Sequence, residues 1–183
     1  MKNRNAVLAA LVFVILVIGG WWLFHHGSGG NVDLLGQFDK AQKTVPAGGS
    51  PYAIVDATLA GETKKAIAAP SSGRITFHVR VPDDGWLKVS LGTKPESWDK
   101  EGDGVYFFAG VSDGRAFETL FTQTVNPHAN ASERRWIPVT VDLSAYAGED
   151  MDIVLNTRAS GPGHPTDDRN DLPLWGAPEI VRR

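Results

Sequence analysis

The architecture this sequence predicts is all-β: a two-sheet antiparallel jelly-roll sandwich of about nine strands, preceded by a transmembrane helix and a short amphipathic one. Three observations lead there. Apolar residues recur with period two through most of the chain beyond residue 50, and 20 glycines and 11 prolines punctuate them. No segment between these runs reads as a crossover helix, so neighbouring strands must pair antiparallel. Ahead of them, residues 6–24 run AVLAALVFVILVIGGWWLF without a charge.

A helix over Ala6–Phe24 covers about 28 Å, close to the ~30 Å hydrocarbon core of a bilayer. Lys2 and Arg4 precede it, and no Lys or Arg follows until Lys40. The positive-inside bias then keeps residues 1–5 cytoplasmic and sends the rest across a bacterial inner membrane, to the periplasm or the exterior. Trp21 and Trp22 fall at headgroup level, where amphipathic indoles are favoured. A cleaved signal would have a shorter apolar run and a small-x-small site; here bulky Trp21, Trp22, Leu23 and Phe24 occupy that place. The expectation is a retained anchor. The chain has no cysteine, which removes a lipid-linked anchor, disulfides, thiolate metal sites and covalent haem attachment. With 18 basic and 21 acidic residues, net −3 and no basic stripe, nucleic acid is not an expected partner.

Residues 25–50 read as a linker holding a short helix near 33–41. Next to the membrane, His25 and His26 offer imidazoles that a metal or a chlorophyll-type pigment takes; polar interfacial residues are the plainer reading. In DLLGQFDKA, Leu34, Leu35, Phe38 and Ala41 fall at helical spacing behind Asp33 as N-cap. From residue 51 to 183 the period is two. Ile75, Phe77, Val79 and Val81 share one face; Arg74, Thr76, His78 and Arg80 share the other. Leu87, Val89 and Leu91 form a second inward row. Ile137, Val139, Val141 and Leu143 form a third, with Pro138 marking an edge strand or bulge. Met151, Ile153 and Leu155 form a fourth. Further strands are expected near 52–58, 64–69, 104–111, 117–125 and 174–181. In the 104–111 strand, Val105, Phe107, Ala109 and Val111 fill the core. Tyr106 and Phe108 then face outward as a contact surface, or lie under the 33–41 segment or a loop.

Several motifs tempt a chemical reading. Gly110-Val111-Ser112-Asp113-Gly114 has the spacing of a hydrolase nucleophile elbow, but strands flank it on both sides and Asp-Gly signals a hairpin. Asp99, Glu101 and Asp103 take positions 1, 3 and 5 of a calcium loop, but position 12 is Gly110, so this is not an EF-hand; another oxygen-ligand calcium site stays open. Asp167, Asp168 and Asp171 form a second acidic group in the 159–171 loop. No pair of carboxylates stands out for glycoside cleavage, and no catalytic constellation emerges, so the chain is not expected to be an enzyme. Of the six tryptophans, Trp86, Trp98, Trp136 and Trp175 fall in the domain, where indoles serve as core, as sugar platforms or as interface anchors.

Arg135-Trp136, Asp142-Leu143-Ser144, Tyr146-Ala147-Gly148, Trp175-Gly176 with Pro178, and Gly104-Val105-Tyr106-Phe107 upstream together resemble bacterial galactose-binding-like jelly-roll domains over residues 64–181. The resemblance implies a sandwich that binds glycans or proteins without catalysis, in some members with a structural calcium; no other cofactor is required. Two functions are expected of such a domain behind one helix. The first is an accessory subunit bracing a larger integral membrane complex, photosynthetic or respiratory, with Gly19-Gly20 permitting close helix approach and pigment contact at the membrane end. The alternative is a membrane-tethered carbohydrate-binding module of the cell envelope. Its ligand surface would use Trp98, Tyr106, Phe108, Trp136 and the 159–171 loop, and Asp99, Glu101 and Asp103 would be the calcium residues.

Overall fold

The alternating rows form strands, and every pairing among them is antiparallel. The computed structural model describes residues 30–163 and 166–183. The expected span Ala6–Phe24, with Trp21, Trp22, His25 and His26 at its end, lies outside the described residues, as do residues 1–5. Among the described residues no helix is long and apolar enough to cross a membrane. The strands are β1 (Val32–Asp33), β2 (Gln42–Thr44), β3 (Ala53–Leu59), β4 (Glu62–Ala68), β5 (Gly73–Arg80), β6 (Gly85–Thr93), β7 (Val105–Ser112), β8 (Phe117–Val125), β9 (Ile137–Asp142), β10 (Asp150–Arg158) and β11 (Pro173–Arg182). One sheet runs β3-β4-β11-β6-β9 with β1 added along β11; the other runs β2-β5-β10-β7-β8.

The core lies between these sheets. Ile75, Phe77 and Val79 of β5, Val105, Phe107 and Val111 of β7, and Met151, Ile153 and Leu155 of β10 face Leu87, Val89 and Leu91 of β6 and Trp175 of β11 in one buried cluster. Trp175 meets Phe107 edge-on, with ring centroids 5.0 Å apart. Burying an indole of roughly 200 Å² contributes about 5 kcal/mol. Its N–H, which has no hydrogen-bond partner among the described residues, offsets about 1–3 kcal/mol of that. Pro138 sits in β9, which is an edge strand, where its missing N–H costs no ladder bond. The β11 ladder shifts register between Gly176 and Glu179, and Ala177 takes φ +43° there. That bulge divides one side of β11 between β4 and β1.

One expected element is different. Residues 34–40 form successive turns, not a helix. Phe38 N–H donates to the Leu35 carbonyl at 3.1 Å and Lys40 N–H to Gln37 at 3.0 Å, both three residues back. The segment is too short to nucleate an α-helix by itself, and Gly36 lowers its propensity further. Asp33 still caps it locally, its Oδ1 accepting from Leu35 N–H at 2.9 Å. The apolar spacing keeps its purpose: Leu34 is fully buried and Leu35, Phe38 and Ala41 pack on the core. The segment is therefore core, and it is not what covers Tyr106 and Phe108. The short strands β1 and β2, which pair beside this segment, were not expected: three residues or fewer show no periodicity.

Candidate functional site

The outer face of the β2-β5-β10-β7-β8 sheet carries the side chains the core does not use. Register places Thr44, Arg74, Asn156, Phe108 and Thr122 in one row across all five strands. The next row holds Gln42, Thr76, Val154, Gly110 and Thr119. Tyr106 pairs with Arg158 on one side of these rows, and Ser112 pairs with both Asp152 and Phe117 on the other. All of these but Asn156 and Gly110 line a groove of about 670 Å³ spanning the sheet.

Its floor and one wall are aromatic. The β7–β8 ladder shifts register between Ala109 and Gly110, and past that bulge the Phe117 ring folds over Gly110. A Cβ at Gly110 would stand 2.1 Å from Phe117 Cζ, so only glycine admits the ring. Phe117 meets Phe108 edge-on at 6.4 Å, and Tyr106 lies 6.2 Å from Phe108 on its other side. Phe108 is therefore floor, 7% exposed, whereas Phe117 stands 48% exposed as the wall. The outward direction expected for Tyr106 and Phe108 is the one observed, and their cover comes from Phe117 and Arg158.

Charge gathers at the groove unevenly. The Arg158 guanidinium sits 5.0 Å from the Phe108 ring centroid, held by the ring's negative face. Neither Arg74 nor Arg158 makes an ion pair or side-chain hydrogen bond among the described residues. Asp152, the groove's one carboxylate, lies 3.0 Å from His78 Nδ1. The turn beside it is a plain hairpin. Ser112 Oγ donates to the Ala116 carbonyl at 2.7 Å, and Asp113 Oδ1 accepts from the N–H groups of Arg115 and Ala116. Those backbone donors hold the Asp113 carboxyl below its usual range. The Gly110–Gly114 motif thus has its serine tied into a turn, as the sequence predicts.

The other expected ligand residues lie elsewhere. Trp136 is 3% exposed, and Gly92 and Gly176 of the opposite sheet lie beneath its ring. Its N–H donates to the Glu62 carbonyl at 3.0 Å. Trp98 is half-buried against the same cluster, donating to the Thr93 carbonyl at 3.0 Å. Neither tryptophan shares a face with Tyr106 and Phe108, and no described residue of the 159–171 loop lines the groove. That loop instead meets the 99–103 segment. Ser160 Oγ donates to Asp103 at 2.6 Å, and Asn170 donates to the Glu101 carbonyl at 2.9 Å. Asp167 is held to about 2, first by its hydrogen bond from the Arg169 side chain.

Asp99, Glu101 and Asp103 are the three carboxylates expected to hold calcium. Asp99 is paired with Arg134 at 2.9 Å. Among the described residues no three His, Asp or Glu side chains form a metal-holding group. What the two acidic segments build is a buried acid: Asp171, pushed up to about 8 by burial first and then by the charges of Asp103, Asp167 and Asp168. Its Oδ2 and the nearby Thr93 hydroxyl have no hydrogen-bond partner among the described residues. Arg74, Arg158 and Phe117 are the groove residues that sequence reasoning missed. The outward row of β5 already contained Arg74, but nothing in it shows which outward rows meet.

No family model matches the chain. It is 37% identical over 103 residues to an uncharacterized protein of Archaeoglobus fulgidus, a match covering 56% of this chain and 25% of that protein. The chain thus spans about a quarter of that relative's length. Among solved structures, that of the M60 catalytic domain with the CBM51-1 and CBM51-2 domains of Clostridium perfringens ZmpB is similar at TM-score 0.55 and 16% identity, over 77% of this chain and 14% of that one. The K2 cleaved adhesin domain of Lys-gingipain is similar at TM-score 0.51 and 15% identity, over 78% of this chain and 90% of that one. At such identities the likeness carries the fold. That fold is the two-sheet antiparallel β-sandwich described above.

Proposed function

We propose that this chain is a non-catalytic glycan-binding module and that the saccharide lies in the groove across the β2-β5-β10-β7-β8 sheet. One observation carries the reading: an aromatic-floored groove of about 670 Å³ with the Phe117 ring 48% exposed in its wall. That volume lies within the ~300–1,000 Å³ usual for small-ligand sites. Sugar rings present C–H faces that stack on an aromatic and hydroxyls that need partners. Phe117 and Tyr106 offer the first; Gln42, Thr44, Thr76, Thr119 and Thr122 offer the second. Glycoside cleavage takes two carboxylates flanking the bond, and among the described residues the groove has only Asp152, which supports binding without hydrolysis.

In this reading the apolar run Ala6–Phe24 tethers the module to a bacterial inner membrane, with the sandwich on the periplasmic or outer side. The other expectation, a brace for a larger membrane complex, finds no support in the fold, whose likeness runs to carbohydrate-binding modules. The test is a glycan array probed with the full-length chain in mild detergent. Binding that disappears in Phe117→Ala, with unchanged melting, supports the proposal. A folded chain that retains no glycan overturns it.

A further inference from the structure

We infer that the saccharide this groove takes carries an anionic substituent, a carboxylate or a sulfate ester, bound between Arg74 and Arg158. The inference rests on the glycan-binding reading and adds the ligand's charge class.

The chain has more acidic than basic residues, 21 against 18, so carboxylates are available to its arginines. Outside the groove three arginines use them, Arg80 with Asp150, Arg134 with Asp99 and Arg169 with Asp167, whereas Arg115, Arg135, Arg182 and Arg183 make no ion pair among the described residues. Arg74 and Arg158 make no ion pair among the described residues, although they occupy adjacent strands on the same outward face. Arg74 stands opposite Asn156, two residues from Arg158. Such diagonal neighbours have Cβ atoms about 7–8 Å apart, within reach of one small anion for two long side chains. Two cations left side by side repel one another unless an anion bridges them. The groove's own carboxylate is not that bridge, since Asp152 faces His78 at 3.0 Å.

One further feature prepares the spot. Phe108 lies beneath the Arg158 guanidinium at 5.0 Å, which restrains the fork without using its N–H donors. Guanidinium forks match the paired oxygens of carboxylate and sulfate, whereas a neutral hydroxyl meets only one donor at a time.

The experiment measures affinity of the full-length chain, in mild detergent at low salt, for an oligogalacturonate, a sulfated galactan oligosaccharide and a neutral galactan oligosaccharide of equal length. The expected result is that one of the anionic ligands binds about tenfold or more tightly than the neutral one. Whichever of the two does so identifies the anion as carboxylate or sulfate. The preference falls as salt rises. It drops toward unity in Arg74→Gln and Arg158→Gln at unchanged melting temperature, because the anionic ligand loses more affinity than the neutral one. Equal or tighter binding of the neutral ligand, or a preference unaffected by both substitutions, overturns the inference and leaves glycan binding standing. Loss of all three ligands in Phe117→Ala, with the preference intact in wild type, supports both. A folded wild-type chain that takes none of the three overturns this inference, and a blank glycan array overturns the parent reading as well.

Discussion

The two outer faces of this sandwich use the same device to opposite ends. On the β3-β4-β11-β6-β9 sheet, Gly92 and Gly176 leave flat backbone on which the Trp136 ring lies; a Cβ at Gly176 would stand 2.7 Å from it. Leu59, Ala66 and Leu174 close around that indole. On the β2-β5-β10-β7-β8 sheet, Gly110 seats Phe117 in the same manner, but nothing closes over it. The first face has become a second small core. The second has stayed open, with two arginines that make no ion pair among the described residues and an exposed ring. The lesson is that an outward aromatic seated on glycine is not by itself a binding residue; what counts is whether neighbouring side chains finish burying it.

The comparison can be broken most forcefully at Trp136. Trp136→Ala removes a buried indole and strands the Glu62 carbonyl, so we expect a loss of about 3–5 kcal/mol in a denaturant titration, with ligand affinity of the folded fraction unchanged. If affinity falls as well, the faces are not independent. The glycines come next. Gly176→Ala and Gly110→Ala each force a ring from its seat and should cost roughly 1–3 kcal/mol. Only Gly110→Ala should also weaken glycan binding, which parallel melting and calorimetry would separate. Phe117→Ala sharpens the contrast further. An exposed ring contributes ~1 kcal/mol or less to stability, so melting should barely move while affinity drops at least about tenfold, equivalent to ~1.4 kcal/mol.

The mildest test touches neither face. Asp171 has its carboxyl pushed up to about 8, chiefly by burial. The fold therefore favours the protonated acid relative to the unfolded chain. Stability from this group is full below its unfolded value near 3.8 and is lost as pH rises through about 8. Melting temperature should decline across that window, and Asp171→Asn should flatten the decline while leaving ligand affinity unchanged. An unaltered profile in the variant would assign the decline to another group.

Much of the sandwich was readable from alternation. The nine longer strands occur where period-two rows placed them, because burying one face of a pleated strand demands that pattern. Pro138 pointed correctly to an edge, since it has no N–H to give a neighbour. The Asp113-Gly114 turn was legible for a related reason: Gly114 takes φ +85°, which glycine adopts at little cost. The 33–41 segment was misread because apolar spacing reports which side chains face inward and not how the backbone satisfies its hydrogen bonds. The site was harder. Tyr106 and Phe108 were singled out because they broke the outward polar pattern. Trp98 and Trp136 were singled out for residue type alone, and residue type does not distinguish an indole that buries itself from one that waits for a ligand.

From its sequence alone this chain is committed to paired antiparallel sheets, to the inward and outward rows of each strand and to its tight turns, because these follow from contacts between near neighbours and from the pleat. Only the tertiary structure decided which outward rows lie side by side, that Arg74 and Arg158 meet over one groove, and that Trp136 is covered while Phe117 is not. Strand order and the bulge at Gly110 set those meetings, and both arise from pairings between segments far apart in the chain, where no local pattern records the partner.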